Sequence, residues 1–482
     1  MASLGRYQVS MKHHLYSSEG GSITGLTRQI AEFAADLGYN DLPSEVVERT
    51  KLLILDIAGN VVRARHDAES TPSLLAAVER LGLSDGACTV IGDDRRYAPT
   101  AAALINGTLA HSLDFDDTHA RASLHSSAPI VPACLAAAEM AGASGKDFIT
   151  AIVAGYEVQI RLGLALDPPA HYDRGFHPTA TCGVFGATIA AAKLLGLNAD
   201  DIESALGIAL SQAAGSMQFL ADGAWTKRSH VGQAAQNGLI CATLAAEGFQ
   251  GPKQAFEGRW GFLFAYAPNA DPAKVTDGLG ARWETMNLAV KPYPSCRYTH
   301  AAMNALATLK RDHAIEAADI VSVEIGLPET GWKIVGDPQV DKQNPKSVVD
   351  GQFSIPFCAA VVLREGTLGW DHYATHLHDK DTHDLSRRVS TVIDAKADAI
   401  FPENMAGMAR VETANATYEA FVDVPKGEPG NFMSEAEFLE KFNGLCQPYL
   451  SSAAANRLAQ GLLNLDQANS VSSVVGFSQA GQ

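Results

Sequence analysis

The chain has 482 residues, of which 46% are hydrophobic and 19% charged. That supplies a large core and two or three domain-sized units, and it excludes a disordered chain. A formal net charge of −17 with no basic stripe excludes an ordinary nucleic-acid binder, so any anion site must be built locally from a few Lys, Arg and His side chains.

Cys88, Cys134, Cys182, Cys241, Cys296, Cys358 and Cys446 are odd in number and widely spaced, with no C-x-x-C pair. This argues against a disulfide framework and a cysteine zinc site, and for small buried thiols in a reducing, cytoplasmic setting. No run of about 18 uncharged apolar residues occurs, so no membrane-spanning helix is expected. The first twenty residues carry Arg6 and Lys12 but no apolar h-region. They read as a tail, with a short targeting segment as the alternative and Met11 as another start.

From Ser22 to Glu284 the pattern is helical. Ile30, Phe33, Ala34 and Leu37 recur at helical spacing, and Pro43 opens a helix through Val46 and Ile57. Further helices are predicted at Pro99 to His111, Pro129 to Ala141, Lys146 to Leu166, Cys182 to Leu195, Ala199 to Ala214 and Gly232 to Glu247. Their Ala- and Gly-rich faces suit close helix contact.

The texture changes near Met286. Ile320 to Gly326 alternates with period two, as do Ala409 to Thr413 and Thr417 to Val424, which pair as a hairpin across Ala414 to Ala416. Helices are predicted between them at Cys296 to Arg311, Ser347 to Arg364 and His383 to Val392. Helices then return at Ser434 to Cys446 and Ser452 to Leu463, and Asn469 to Gln482 reads as a frayed tail. The fold class is therefore mainly α: a large helical domain from both chain ends (1–286 and 431–482) with an inserted α+β unit (287–430).

Four segments carry the chemistry. His111 to His125 packs Asp114, Asp116, Asp117, His119 and His125 into fifteen residues. Asp and His together suit proton transfer; the plainer reading is an acidic loop capping the next helix, and a metal site is the third. Arg174 to Gly186 places His177 before a Pro-opened helix, whose free N–H groups favour an anion. Its plainer reading is a packed histidine at a helix start. Lys227, Arg228 and His230 form a local cationic group, either a carboxylate clamp or a basic surface turn. Val290 to His300 supplies Lys291, Arg297 and Cys296 at the domain boundary, where clefts favour ligands. Cys296 reads as a substrate-facing or buried thiol rather than a nucleophile. The His- and Asp-rich stretch from Asp371 to His383 is set aside as a solvated loop.

In this order, DFDDT at 114–118, FHPTATCG at 176–183, TKRSHVGQAAQNG at 226–238 and KPYPSC at 291–296 resemble the motifs of the MmgE/PrpD family of 2-methylcitrate dehydratases, cis-aconitate decarboxylases and iminodisuccinate epimerases. The resemblance covers about Thr24 to Gly461. It implies a helical domain with the inserted unit as lid, a homodimer, no metal or organic cofactor, and a small polycarboxylate substrate. By motif match it places Asp114, Thr118, His125, His177, Lys227 and Lys291 on positions that line the family's active site. Together with the local readings, the expected catalytic groups are Asp114, His125, Lys227 and Lys291, with Thr118, His177, Arg228, His230, Cys296 and Trp332 around the substrate. Cys296 and Trp332 stand where the family's animal decarboxylase has His and Tyr. The long Thr118-to-His125 spacing and Cys296 look like the fungal decarboxylase, and the acid-His-Pro-Ser-Asp pattern of bacterial dehydratases is missing. The order of expectation is a hydro-lyase acting on an alkylcitrate, then a cis-aconitate-type decarboxylase, then an epimerase. A metal-dependent hydrolase and a silent carboxylate binder are the readings from other classes.

Overall fold

The computed structural model describes residues 25–221 and 223–479; the expectations for the first twenty residues lie outside them. Helices α1 (Leu26–Asp36), α2 (Ser44–Asp67), α3 (Pro99–Ala110), α4 (Ser127–Ala141), α5 (Gly145–Ala165), α6 (Pro178–Leu194), α7 (Ala199–Leu210) and α8 (Thr226–Ala246) occupy the first half. The innermost of these, α4, α5 and α6, are buried on nearly every face. A 3.6-residue stripe is therefore weak in them, and Ala, Gly and Thr set how closely they pack. At the crossing of α3 and α8, a Cβ added to Gly232 would lie 2.4 Å from the Leu104 carbonyl and 2.2 Å from Thr108 Oγ1. Only glycine fits there, and this contact fixes the height of α8 and of the cationic residues in its first turns.

Helix α8 begins at Thr226, not at Gly232 as the sequence pattern suggested. The glycine is a packing residue inside the helix rather than its start, so Lys227, Arg228 and His230 are helical. Helix α5 is long and apolar enough to cross a membrane, but 94% of that window is buried inside the protein. Its Glu157 and Arg161 form a buried ion pair at 3.2 Å.

The strand residues Thr118–His119 (β1) pair antiparallel with Leu288–Ala289 (β2), Thr118 opposite Ala289. After these come α9 (His300–His313), β3 (Ile320–Leu327), α10 (Ile355–Glu365), β4 (Val389–Ile393), β5 (Gly407–Thr413) and β6 (Thr417–Val422). The sheet order is β4-β3-β5-β6, with β3 and β4 parallel and the other pairs antiparallel. The β5–β6 hairpin turns at Ala414 to Ala416, with the Thr413 N–H donating to the Ala416 carbonyl. Helices α11 (Glu435–Cys446) and α12 (Ser452–Leu463) return to the helical half. Buried apolar residues fall into two clusters. One runs from Ile30 to Val290 and resumes from Met433 to Val475; the other spans Tyr293 to Val411.

Three expectations are corrected. The helix predicted over His383 to Val392 is a short helix, Lys380–Ser386, followed by strand β4; the β-branched run Val389, Thr391, Val392, Ile393 pairs beside β3 instead of continuing a helix. The helix predicted over Ser347 to Arg364 is broken at Phe353 and Ser354, where Ser354 caps α10 and Pro356 opens it. The stretch expected to fray after Asn469 forms the helix Val471–Val475, whose Val471, Val474 and Val475 join the main core.

Candidate active site

The β1–β2 pairing lays the 290–296 segment against the loop that follows α3. On that loop Asp114 has φ 51°, in the left-handed region, which Asp tolerates better than most side chains. Its carboxylate lies between two ammonium groups: Lys227 Nζ is 2.9 Å from Oδ1 and Lys291 Nζ 3.0 Å from Oδ2. Lys291 also donates to the Asp114 carbonyl at 2.6 Å. Burial alone would raise the Asp114 pKa, but the two lysines outweigh it and hold the carboxyl well below the usual range. Burial likewise opposes the charge on Lys227, and Asp114 more than compensates, so its pKa is raised.

Asp116 is buried between two imidazoles, with His111 Nδ1 at 2.9 Å and His125 Nδ1 at 3.0 Å from the same oxygen, Oδ2. Burial works against this carboxylate, yet the two histidines keep its pKa well below normal. An ionised carboxylate only accepts, so Nδ1 of His111 carries the proton it donates. Burial pushes His111 down to about 4. At neutral pH the ring is therefore uncharged, and Nε2 is a bare acceptor, buried without a partner among the described residues. The rings of His111 and His125 meet edge to face with centroids 4.4 Å apart. His177 follows at 6.0 Å from His111, and His230 at 5.7 Å from His177. Burial lowers the pKa of both.

A cavity of about 400 Å³ opens over these groups. Its polar side is His111, Asp114, His125, His177, Lys227 and Arg228, and its apolar side is Tyr172, Met217, Phe219, Leu220 and Trp225. Val349, Gln352 and Phe353, just before α10, complete its lining. Gln352 ties that segment down by donating to the Leu113 carbonyl at 2.8 Å and the Pro294 carbonyl at 3.2 Å. The constellation combines cations for carboxylates with one imidazole, His111, hydrogen-bonded to a carboxylate and a second, His125, close against it. It can hold a polyanion and move a proton beside it. His111, Asp116 and His125 also offer three ligand atoms within 4.8 Å of one another, a donor set that fits a borderline cation such as zinc.

The structure gathers Asp114, His125, His177, Lys227 and Arg228 around the cavity, with Lys291 against Asp114. Arg228 also reaches Ser70 Oγ at 3.4 Å. His230 lies behind His177 and Phe219. Thr118 is buried in the β1–β2 pair and its hydroxyl has no partner among the described residues. Cys296 is only partly buried by exposed area, yet desolvation raises its thiol pKa, which disfavours a thiolate nucleophile. Trp332 does not line the cavity; its indole N–H reaches the Thr391 carbonyl at 3.4 Å, beside strand β4.

Asp117 caps the next helix, its carboxyl accepting the Ser127 N–H at 3.1 Å at the start of α4, but it is buried rather than solvated as the plainer reading of a solvated acidic loop had it. His119 turns away to Glu284 at 3.3 Å. The Asp371 to His383 stretch is two short helices rather than a solvated loop. His376 there bonds Thr382 and His383 bonds the Leu377 carbonyl, each at 2.8 Å, because these side chains stitch the turns together. Sequence reasoning named Asp116 only within its segment and did not single out His111, which lines the cavity, or the walls Tyr172, Phe219, Gln352 and Phe353. His111 and Asp116 were visible as part of one Asp/His-rich segment; the walls carried no signal.

Comparison with known proteins matches residues 28–274 to the MmgE/PrpD N-terminal domain and residues 293–467 to the MmgE/PrpD C-terminal domain. The chain is 31% identical over 477 residues to a cis-aconitate decarboxylase-like protein of Aspergillus oryzae, covering 94% of this chain and 97% of the relative. It is 30% identical over 486 residues to a cis-aconitate decarboxylase of Aspergillus terreus, covering 95% and 96%. Against the human cis-aconitate decarboxylase the identity is 30% over 356 residues, 71% of each chain.

Proposed function

The chain belongs to the MmgE/PrpD family, and from that premise we propose that it is a decarboxylase of cis-aconitate or a closely similar unsaturated tricarboxylate. The observation that carries this reading is Asp114 held between Lys227 and Lys291, beside a His125 whose Nδ1 lies 3.0 Å from Asp116 Oδ2. The names of relatives aligned over nearly the whole chain favour decarboxylation over the alkylcitrate dehydration placed first on sequence grounds.

In the proposed reaction the substrate carboxylates sit toward Lys227 and Arg228. The C–C bond to one carboxylate breaks, carbon dioxide leaves, and the electron pair spreads into the carbon skeleton and a retained carboxylate. The cations stabilise that charge more strongly than the ground state. His125 then gives a proton to carbon, and solvent replaces it after product leaves. Asp116 is the orienting group for His125, and Asp114 fixes the two lysines. We further propose that the inserted unit acts as a lid through Val349 to Phe353, excluding water and strengthening these interactions, and that the enzyme works as a homodimer.

The test is turnover of cis-aconitate by purified protein with chelator present. Carbon dioxide and itaconate in equal amounts are expected. Activity that appears only when a divalent metal is added would instead favour a metal centre at His111, Asp116 and His125.

A further inference from the structure

Behind the cavity lies a buried charge pair that touches none of the groups lining it. Lys441, on α11, is almost fully buried, and its Nζ lies 2.6 Å from Asp56 Oδ1 on α2. The same Nζ donates to the Phe115 carbonyl at 2.8 Å and the Lys291 carbonyl at 2.9 Å. It also sits 3.7 Å from the centre of the Phe115 ring. Asn60 donates to the Asp56 carbonyl at 2.9 Å, one turn along α2.

Those two carbonyls belong to the loops that build the site. Phe115 separates Asp114 from Asp116, and Lys291 is the residue whose Nζ holds both the carboxylate and the carbonyl of Asp114. The contacts close a ring: Lys441 to the Phe115 carbonyl, along the chain to Asp114, across to Lys291, and from its carbonyl back to Lys441. Within that ring Asp114 keeps its left-handed backbone, a conformation that persists where surroundings over-determine it. A buried ion pair adds little net stability, since desolvation offsets its attraction, and an apolar pair of similar size often replaces it without loss. Stability alone therefore gives weak reason for an Asp and a Lys at this place.

We propose that Lys441 and Asp56 are positioning residues that lock the Asp114 and Lys291 loops into register; the effect on turnover rests on the decarboxylase reading, the effect on geometry does not. Neither residue touches substrate. The pair brings the C-terminal return of the chain into the site, so α11 contributes to catalysis through the backbone it holds.

The experiment is the double variant Asp56→Leu/Lys441→Met in the full chain, beside Lys441→Met alone. Three quantities are read: the melting temperature, kcat and KM for cis-aconitate, and a crystal structure of the double variant. The double variant is expected to melt within a few degrees of the wild type, whereas the single variant, with Asp56 left unpaired, melts lower. In the double variant kcat falls at least about tenfold, the scale of a misplaced reacting group, with a smaller change in KM. Its crystal structure shows Asp114 out of the left-handed region or separated from Lys291. A double variant with wild-type kcat and an unmoved Asp114–Lys291 contact overturns the proposal. If the wild type does not turn over cis-aconitate at all, the decarboxylase reading fails, and the crystal structure alone decides this one: an unmoved contact overturns it and a broken contact upholds it. If the double variant does not fold, Lys441→Met alone, which removes every donor to the two carbonyls, is read in the same way, and an undisturbed kcat and contact overturn the proposal.

Discussion

Replacing Lys227 by alanine removes the cation that faces both Asp114 and the cavity. The ammonium group is 2.9 Å from Asp114 Oδ1, and Lys291 stays on the other oxygen, so the loop keeps one of its two partners. A substrate carboxylate in contact with Nζ places the developing carbanion about 5 Å away. At an effective dielectric near 20, a unit charge at that distance contributes about 3 kcal/mol. At roughly 1.4 kcal/mol per tenfold, kcat should fall about a hundredfold or somewhat more. Any equal contribution to ground-state binding appears in KM instead. The assay is initial rate of itaconate formation over a range of cis-aconitate, with circular dichroism to check the fold. A kcat within threefold of wild type, in a folded variant, would refute the charge-stabilising role.

Other predictions follow from the same geometry. His125→Ala should lower kcat by about a hundredfold or more, the scale of a lost proton donor, as read by the same assay; near-normal turnover removes His125 as the carrier. Asp117 is raised to about 8 by burial and the neighbouring Asp116. The folded chain therefore holds a proton that the unfolded chain has lost between about pH 4 and 8, and this contribution to stability declines as pH rises through that window. Asp117→Asn should abolish the decline, so denaturant melts at pH 8.5 show the variant more stable than wild type by on the order of a kcal/mol or more, and at pH 4 show little difference. Gly232→Ala should lower stability by about 1–3 kcal/mol through overpacking against Leu104 and Thr108, measured as urea midpoint; an unchanged midpoint would mean that α3 and α8 part at little cost.

Much of the site was legible because its charged residues come in short runs. Asp114 to Thr118, Lys227 to His230 and Lys291 could each be named from the chain, and the structure brings Lys227 and Lys291 each within about 3 Å of Asp114. What could not be read was which member of a run faces the cavity. Asp116 and Asp117 are adjacent, yet one lies against two imidazoles and the other starts a helix; tertiary packing decides that, and local pattern does not. Lys441 and Asp56 lie 385 positions apart (441 − 56) and meet only once α11 returns. The misread elements share a cause. Strand β4 draws its identity from a parallel neighbour more than sixty residues earlier, and the helix at Val471–Val475 gains its order from the core it covers.

Proton NMR of the purified protein in deuterated water, with chelator and with cis-aconitate or 2-methylcitrate as sole substrate, tests the central claim most directly. The account predicts itaconate from cis-aconitate, with one deuterium on the carbon protonated after carbon dioxide leaves, and no change in 2-methylcitrate. An olefin growing from 2-methylcitrate while cis-aconitate stays intact would contradict it, and would return the same lysines and histidines to a dehydration.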